Sequence, residues 1–187
     1  LSKVQVFIDT EFTDFVGSQL ISLGAVTFDG KQEFYVELTD YNKKLSSEFV
    51  RRVIEPMLDP VQYGKTMIQA SASLWCWLEE LGPCEICCDY LGDWELMCKL
   101  LDGLPPNVAP QPVMIWPELN KLAIAQAHVL QQPDWHWYYE QCKLAFLNGQ
   151  REWFLRNKGR VHHALDDAKA NAAGWQAVQQ CFIKGYY

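Results

Sequence analysis

The chain has 187 residues, 49% hydrophobic and 21% charged, with a formal charge of −7; this suffices for one domain with its own core and excludes a disordered chain. No run reaches the eighteen or so apolar residues of a membrane span, and the acids and lysine interleaved through the first thirty residues are unlike a secretory signal. Seven cysteines, with no second pair at the spacing of Cys84 and Cys87, read as free thiols in a reducing, cytoplasmic compartment rather than as a zinc site.

In chain order, the apolar runs predict strands over residues 3–9, 20–28 and 32–38, with Asp29-Gly30 turning the last two into a hairpin. Helical spacing predicts helices over 46–54 and 68–81, a strand over 84–89, and a helix over 93–102. The proline-rich stretch 104–112 is a surface connection, followed by a strand over 112–116 and helices over 118–131, 134–148 and 164–182. Adjacent Cys87 and Cys88 point to opposite faces of their strand, as in a strand buried on both sides. Strands in a run, then helices and strands in alternation, indicate an α/β domain with a mixed sheet covered on both faces.

Two segments carry chemistry. Val6-Phe7-Ile8-Asp9-Thr10-Glu11 runs a strand into two acids one residue apart, and in a strand residues i and i+2 share a face. Carboxylates held that close call for a cation, and hard oxygen ligands suit Mg²⁺ or Mn²⁺. Near the other end, His162-His163-Ala164-Leu165-Asp166-Asp167 places an imidazole that titrates near neutrality beside further acids at a helix start. Each segment alone has a bland explanation, solvation of a strand end or complement to a helix dipole. Together they do not.

These motifs resemble those of the DEDDh exonucleases of the DnaQ-like, ribonuclease H-like superfamily. Asp9-Thr10-Glu11 matches the first motif, His162-x-Ala164-x-x-Asp167 the last, and Leu20 to Phe28 the second strand with its glycine step at Gly24. Among the branches, ribonuclease T and a small bacterial and phage-borne exoribonuclease group are the most similar. The middle motif departs from the pattern: Asp89 stands where asparagine is usual and Gly92 where an aromatic is usual, while Asp93 keeps the expected distance from the strand end. Asp93 is therefore taken as the fourth acid, with Asp89 as its competitor.

The resemblance implies a ribonuclease H-like fold, with a five-stranded mixed sheet flanked by helices and residues 1–187 forming a single exonuclease domain. It implies two Mg²⁺ or Mn²⁺ ions held by Asp9, Glu11, Asp93 and Asp167, with His162 as the general base. The expected reaction is 3′→5′ removal of nucleoside 5′-monophosphates from single-stranded RNA, by a homodimer. A DNA-directed exonuclease with the same site, and a non-catalytic nucleic-acid-binding relative of the fold, are the alternatives. Phe12, Thr13 and Phe15, just past the acids, are placed to wedge against a terminal base. Arg151 to Arg160 gathers four cations and two aromatics before His162, so Arg156, Lys158, Arg160 and His163 are candidate substrate contacts. The same composition also suits a solvated loop with its aromatics turned inward. The acidic net charge argues against a long phosphate track and favours contact with a chain end. The cluster Trp135-His136-Trp137-Tyr138-Tyr139 lies within a predicted helix and reads as core or dimer packing.

Overall fold

Alternation along the first strand organises the molecule: Val6 and Ile8 enter one buried cluster and Phe7 the other, as a pleat with period two requires. The computed structural model describes residues 3–131 and 134–184, with side chains to Cys181. Its strands are β1 (Val4–Phe12), β2 (Leu20–Thr27), β3 (Glu33–Leu38), β4 (Gly64–Lys65), β5 (Cys84–Cys88) and β6 (Val113–Met114), forming one sheet in the order β4-β3-β2-β1-β5-β6. β1, β2 and β3 are antiparallel, and β4, β5 and β6 each join their neighbour in parallel.

The helices are α1 (Pro60–Tyr63), α2 (Met67–Glu80), α3 (Leu91–Leu101), α4 (Ile115–Val129), α5 (Trp135–Asn157) and α6 (Ala164–Lys184). On one face α2 lays Ala70, Leu74 and Leu78, and α3 lays Leu96, Met97, Leu100 and Leu101, against the sheet. α4, α5 and α6 cover the other face through residues such as Leu119, Phe146 and Trp175. Cys87 belongs to the second cluster and Cys88 to the first, so β5 is buried on both sides. All seven cysteines are free. Among the described residues no helix is long and apolar enough to cross a membrane.

The sheet has six strands rather than the expected five. The extra one, β4, is two residues paired to the end of β3, too short to leave a period in sequence. Of the helix expected over 46–54, residues 48–54 are helical, opening at Glu48 and Phe49 and continuing as a π turn at Val50–Ile54 into a 3₁₀ turn at Glu55–Met57, with a separate 3₁₀ turn at Lys43–Leu45 before it. Pro56 and Pro60 each lack the N–H that a continuing helix needs. The strand expected over 112–116 stops at Met114 because α4 already begins at Ile115, with Pro117 in its first turn, where a missing N–H costs nothing.

α5 also runs past the expected residue 148 to Asn157. Gly149 does not end it, because the glycine serves a close approach: a Cβ there would stand 2.8 Å from the Ala173 carbonyl and from the Ala177 Cβ on α6. Residues 151–157, for which a loop was an alternative, are therefore helical.

Two features draw the ends of β1 and β5 and the start of α6 together. β1 and β5 pair in parallel with Phe7 opposite Cys87, which brings Asp9 and Asp89, two residues further on, to one level of the sheet. Gly24 pairs with Asp9 across β1 and β2, and a Cβ at Gly24 would lie 2.3 Å from the Leu165 nitrogen and 2.4 Å from the Ala164 carbonyl carbon. Only a residue without a side chain lets the first turn of α6 rest on the sheet beside Asp9.

Candidate active site

Asp9 and Glu11 project from the end of β1, Asp89 follows β5, Asp93 lies in the first turn of α3, and Asp167 in the first turn of α6. They converge. Ligand atoms of Asp9, Asp89 and Asp93 lie within 4.8 Å of one another, as do those of Glu11, His162 and Asp167. The structure thus brings Asp89 and Asp93 together beside Asp9 instead of choosing between them.

The two are held differently. Asp93 is buried; its Oδ1 accepts a 2.7 Å hydrogen bond from the Thr10 hydroxyl, while its Oδ2 has no partner. Asp89 accepts from Asn171 Nδ2 at 3.3 Å, and Asn171 in turn accepts from Gln150 Nε2 at 2.6 Å. Asn171, one helical turn beyond Asp167, was not singled out from sequence; the i, i+4 spacing was the available signal.

Burial and mutual repulsion push these acids up. Loss of hydration raises the Asp9 carboxyl well above its usual range, and the charges of Asp93, Asp167, Glu11 and Asp89 raise it further. Glu11 is pushed up to about 8, first by burial and then by Asp167 and Asp93. Burial lifts Asp93 to about 7 against the hydrogen bond from Thr10, and Asp167 to about 7 against the backbone N–H of His162. Asp89 is raised too, chiefly by burial. Such a set lacks positive charge.

His162 lies in the connection between α5 and α6 with a left-handed backbone, φ 65°. Its N–H donates to Asp167 Oδ2 at 2.9 Å, and its exposed ring meets Phe49 edge-on at 5.1 Å. His163 points the other way: it is only 4% exposed, its ring lies 4.6 Å from that of Tyr35, and its Nε2 meets the Arg160 guanidinium at 2.8 Å. Burial and the Arg160 charge lower it to about 4. Arg160 is also bonded through its backbone N–H and its Nε to Asp166 Oδ2, at 2.9 and 3.2 Å. Of these two residues, both expected to meet substrate, His163 is turned inward, while Arg160 is half exposed and braces the connection that carries His162 through its bonds to Asp166. Arg156 pairs with Glu152 at 2.8 Å on the surface, and Lys158 is exposed at the left-handed end of α5.

Beside the acids, Phe12 stacks on Tyr90 at 6.2 Å and meets Phe15 edge-on at 5.3 Å. Together with Gly92, Glu95, Leu96 and Lys99 these rings line a cleft of about 240 Å³. Phe15 is 77% exposed. Thr13, expected to join this wedge, is fully buried: its hydroxyl accepts from the Gln19 N–H and its carbonyl from the Ser47 N–H. Tyr90 was missed in sequence, although its place directly after Asp89 was the clue. It also accounts for Gly92, since a Cβ there would stand 2.2 Å from the Tyr90 ring. A larger cleft of about 720 Å³ lies at the opposite end of β1, lined by Val4, Gln5 and Phe28 among others, and holds none of these acids.

A six-stranded mixed sheet flanked by helices, with acids at the ends of β1 and β5, has the ribonuclease H-like exonuclease fold. A solved 3′-exonuclease, described by its 3′-end-specific recognition of a histone mRNA stem-loop, superposes with a TM-score of 0.61 at 18% identity, over 96% of this chain and 65% of that one. The chain thus spans just under two thirds of that protein. No curated protein shows a significant sequence match. The pattern of the Rv2179c-like 3′-5′ exoribonuclease domain matches residues 4–179, and the chain belongs to that family.

Proposed function

We propose that the chain is a divalent-metal-dependent 3′→5′ exoribonuclease of the DEDDh type that acts on single-stranded RNA ends. The observation that carries this reading is a pair of neighbouring clusters, Asp9 with Asp89 and Asp93 and Glu11 with His162 and Asp167, close enough that Asp9 feels the charges of Asp167 and Glu11. The family and the fold of the RNA-recognising 3′-exonuclease support RNA as the substrate.

The residues fit a pair of divalent ions. Five carboxylates and one imidazole are a donor set for Mg²⁺ or Mn²⁺ rather than for a thiolate-bound metal, and the buried Asp93 Oδ2 lacks any other partner. Asp9 and Asp93 would hold one ion, with Asp89 beside them and bonded to Asn171, and Glu11 and Asp167, with Asp9 shared, the other. Bound there, the ions supply Lewis-acid activation of water and positive charge for the leaving oxygen.

The chain's own residues do the rest. His162, exposed and fixed through its backbone to Asp167, takes the proton from water as it adds to phosphorus. The P–O3′ bond then breaks, leaving a 3′-hydroxyl and releasing a nucleoside 5′-monophosphate. Phe12, Phe15 and Tyr90 stack the terminal base, a contact tolerant of base identity, and Lys99 offers a charge at the cleft wall.

In this reading residues 1–187 form one exonuclease domain, the protein is a homodimer, and the free thiols favour a cytoplasmic location. The test is a time course on 5′-labelled single-stranded RNA and DNA with Mg²⁺, Mn²⁺ or chelator. The expected result is a ladder shortening from the 3′ end, faster on RNA, dependent on metal and absent in Asp9→Ala and Asp167→Ala. A DNA-only ladder would reassign the substrate, and metal-independent cleavage would overturn the mechanism.

A further inference from the structure

Helix α5 carries a seam that no described element covers. Trp137, Glu140, Leu144, Leu147, Arg151 and Leu155 are all exposed, at steps of three or four residues. At 100° per residue they fall within an arc of about 80°, opposite Tyr138, Cys142 and Phe146, which enter the core. Four of the six are large and apolar, and Leu155 is 70% exposed and Leu144 50%. A seam of this spacing is what one helix presents to another.

Its two charges identify the partner. The midpoint between Glu140 and Arg151 is also the midpoint between Leu144 and Leu147, and lies half a residue from that between Trp137 and Leu155. A two-fold axis at that midpoint sets Glu140 against Arg151 of the second copy, Leu144 against Leu147, and Trp137 against Leu155. Such an interface is isologous, one patch meeting itself. Parallel alignment would oppose Glu140 to Glu140 and Arg151 to Arg151. Glu140 is free to re-pair, since its present partner Lys143 lies at 3.7 Å with both side chains partly exposed, and Arg151 enters no ion pair among the described residues.

We propose that two copies of this chain associate through antiparallel packing of α5 on α5, with the Glu140–Arg151 pairs, one on each side of the axis, fixing direction and register. This rests on the homodimer of the proposed function and gives it a surface. Sedimentation velocity across a micromolar concentration series tests it on the full chain, with Glu140→Arg, Arg151→Glu and the double exchange. The expected wild type is dimeric. Each single exchange places like charges together twice and weakens association by at least about tenfold, and the double exchange restores it.

Circular dichroism establishes that each variant is folded; should one fail, Leu147→Lys at the seam's centre gives the same reading. A monomeric wild type overturns both the dimer and the seam. A dimeric wild type whose single variants remain dimeric overturns the seam alone, as does a double exchange that fails to restore association. Loss of the nuclease reading would leave every one of these outcomes readable, because none measures hydrolysis.

Discussion

If the crowded carboxylates take protons because no cation compensates them, metal-free protein should lose stability as pH rises through neutrality. The sign follows from linkage: an acid whose folded pKa is raised binds its proton more tightly in the native state, so stability falls between the unfolded and folded values. The useful window is pH 6.5 to 8. Below it His163, lowered to about 4 in the fold, contributes the opposite slope, because its protonation favours the unfolded chain. Above it the unfolded thiols ionise while the buried ones, such as Cys88 pushed up to about 12, do not.

Within the window Glu11, raised from 4.5 to about 8, accounts for roughly 1.5 kcal/mol, and Asp93 and Asp167, each raised to about 7, for somewhat under about 1 kcal/mol each. Discounting for partial contact with water leaves about 2 kcal/mol. Urea unfolding in chelator at pH 6.5, 7.2 and 8 measures it. Glu11→Gln should lose about half the slope, and saturating Mg²⁺ or Mn²⁺ should abolish or invert it. A chelated wild type equally stable at both ends, or more stable at pH 8, would refute the electrostatic account of the site.

Asp93→Asn should be nearly inactive, because the buried Oδ2 has no partner but a ligand, whereas Asp89→Asn should remain active, since an amide oxygen can still accept from Asn171; turnover with Mg²⁺ separates them, and the reverse order would move the fourth acid to Asp89. His162→Ala should lose about a hundredfold or more in kcat with little change in metal affinity by calorimetry. His163→Ala should keep metal binding and much of the turnover while melting earlier, through the cavity left against Tyr35; equal kinetic losses would leave the base unassigned. Gly24→Ala should cost several kcal/mol, since its methyl would enter the backbone of Ala164 and Leu165, and a melting temperature within a degree of wild type would contradict that packing.

Much of the fold was legible because its signals are local. Apolar runs announce β1 and β2, Asp29-Gly30 announces the hairpin from β2 to β3, and Gly30 indeed sits at φ 69°. What was illegible depends on contacts distant in sequence. β4 is a strand only because the end of β3 receives it, and Gly149 continues a helix only because α6 passes close to it. The acids at positions 9, 11 and 167 and the histidine at 162 could be nominated from their spacing, and Asp93 from the family resemblance. Spacing could not show that Asp89 and Asp93 stand together, nor that Thr13 and His163 turn inward, since each is decided by a partner elsewhere in the chain. Gly92 is the clearest case: the resemblance leads one to expect an aromatic there, while in space a Cβ on residue 92 would meet the Tyr90 ring at 2.2 Å.

Ion pairing within the chain changes what the basic segment means. Four cations before His162 suggested a phosphate-binding patch, yet Arg156 is paired to Glu152 and Arg160 to Asp166, so half of that charge is already matched within the molecule. The local excess of acidic groups is instead the feature that stands out: five carboxylates gather at the ends of β1 and β5 and the starts of α3 and α6, each raised first by burial. A surface of this kind repels a polyanion until cations are bound, so under the proposed function metal and substrate phosphate must enter the site as one charge-balanced unit. Apparent affinity for RNA would then follow metal concentration steeply and ionic strength only weakly, the opposite of a protein that holds nucleic acid along a basic track.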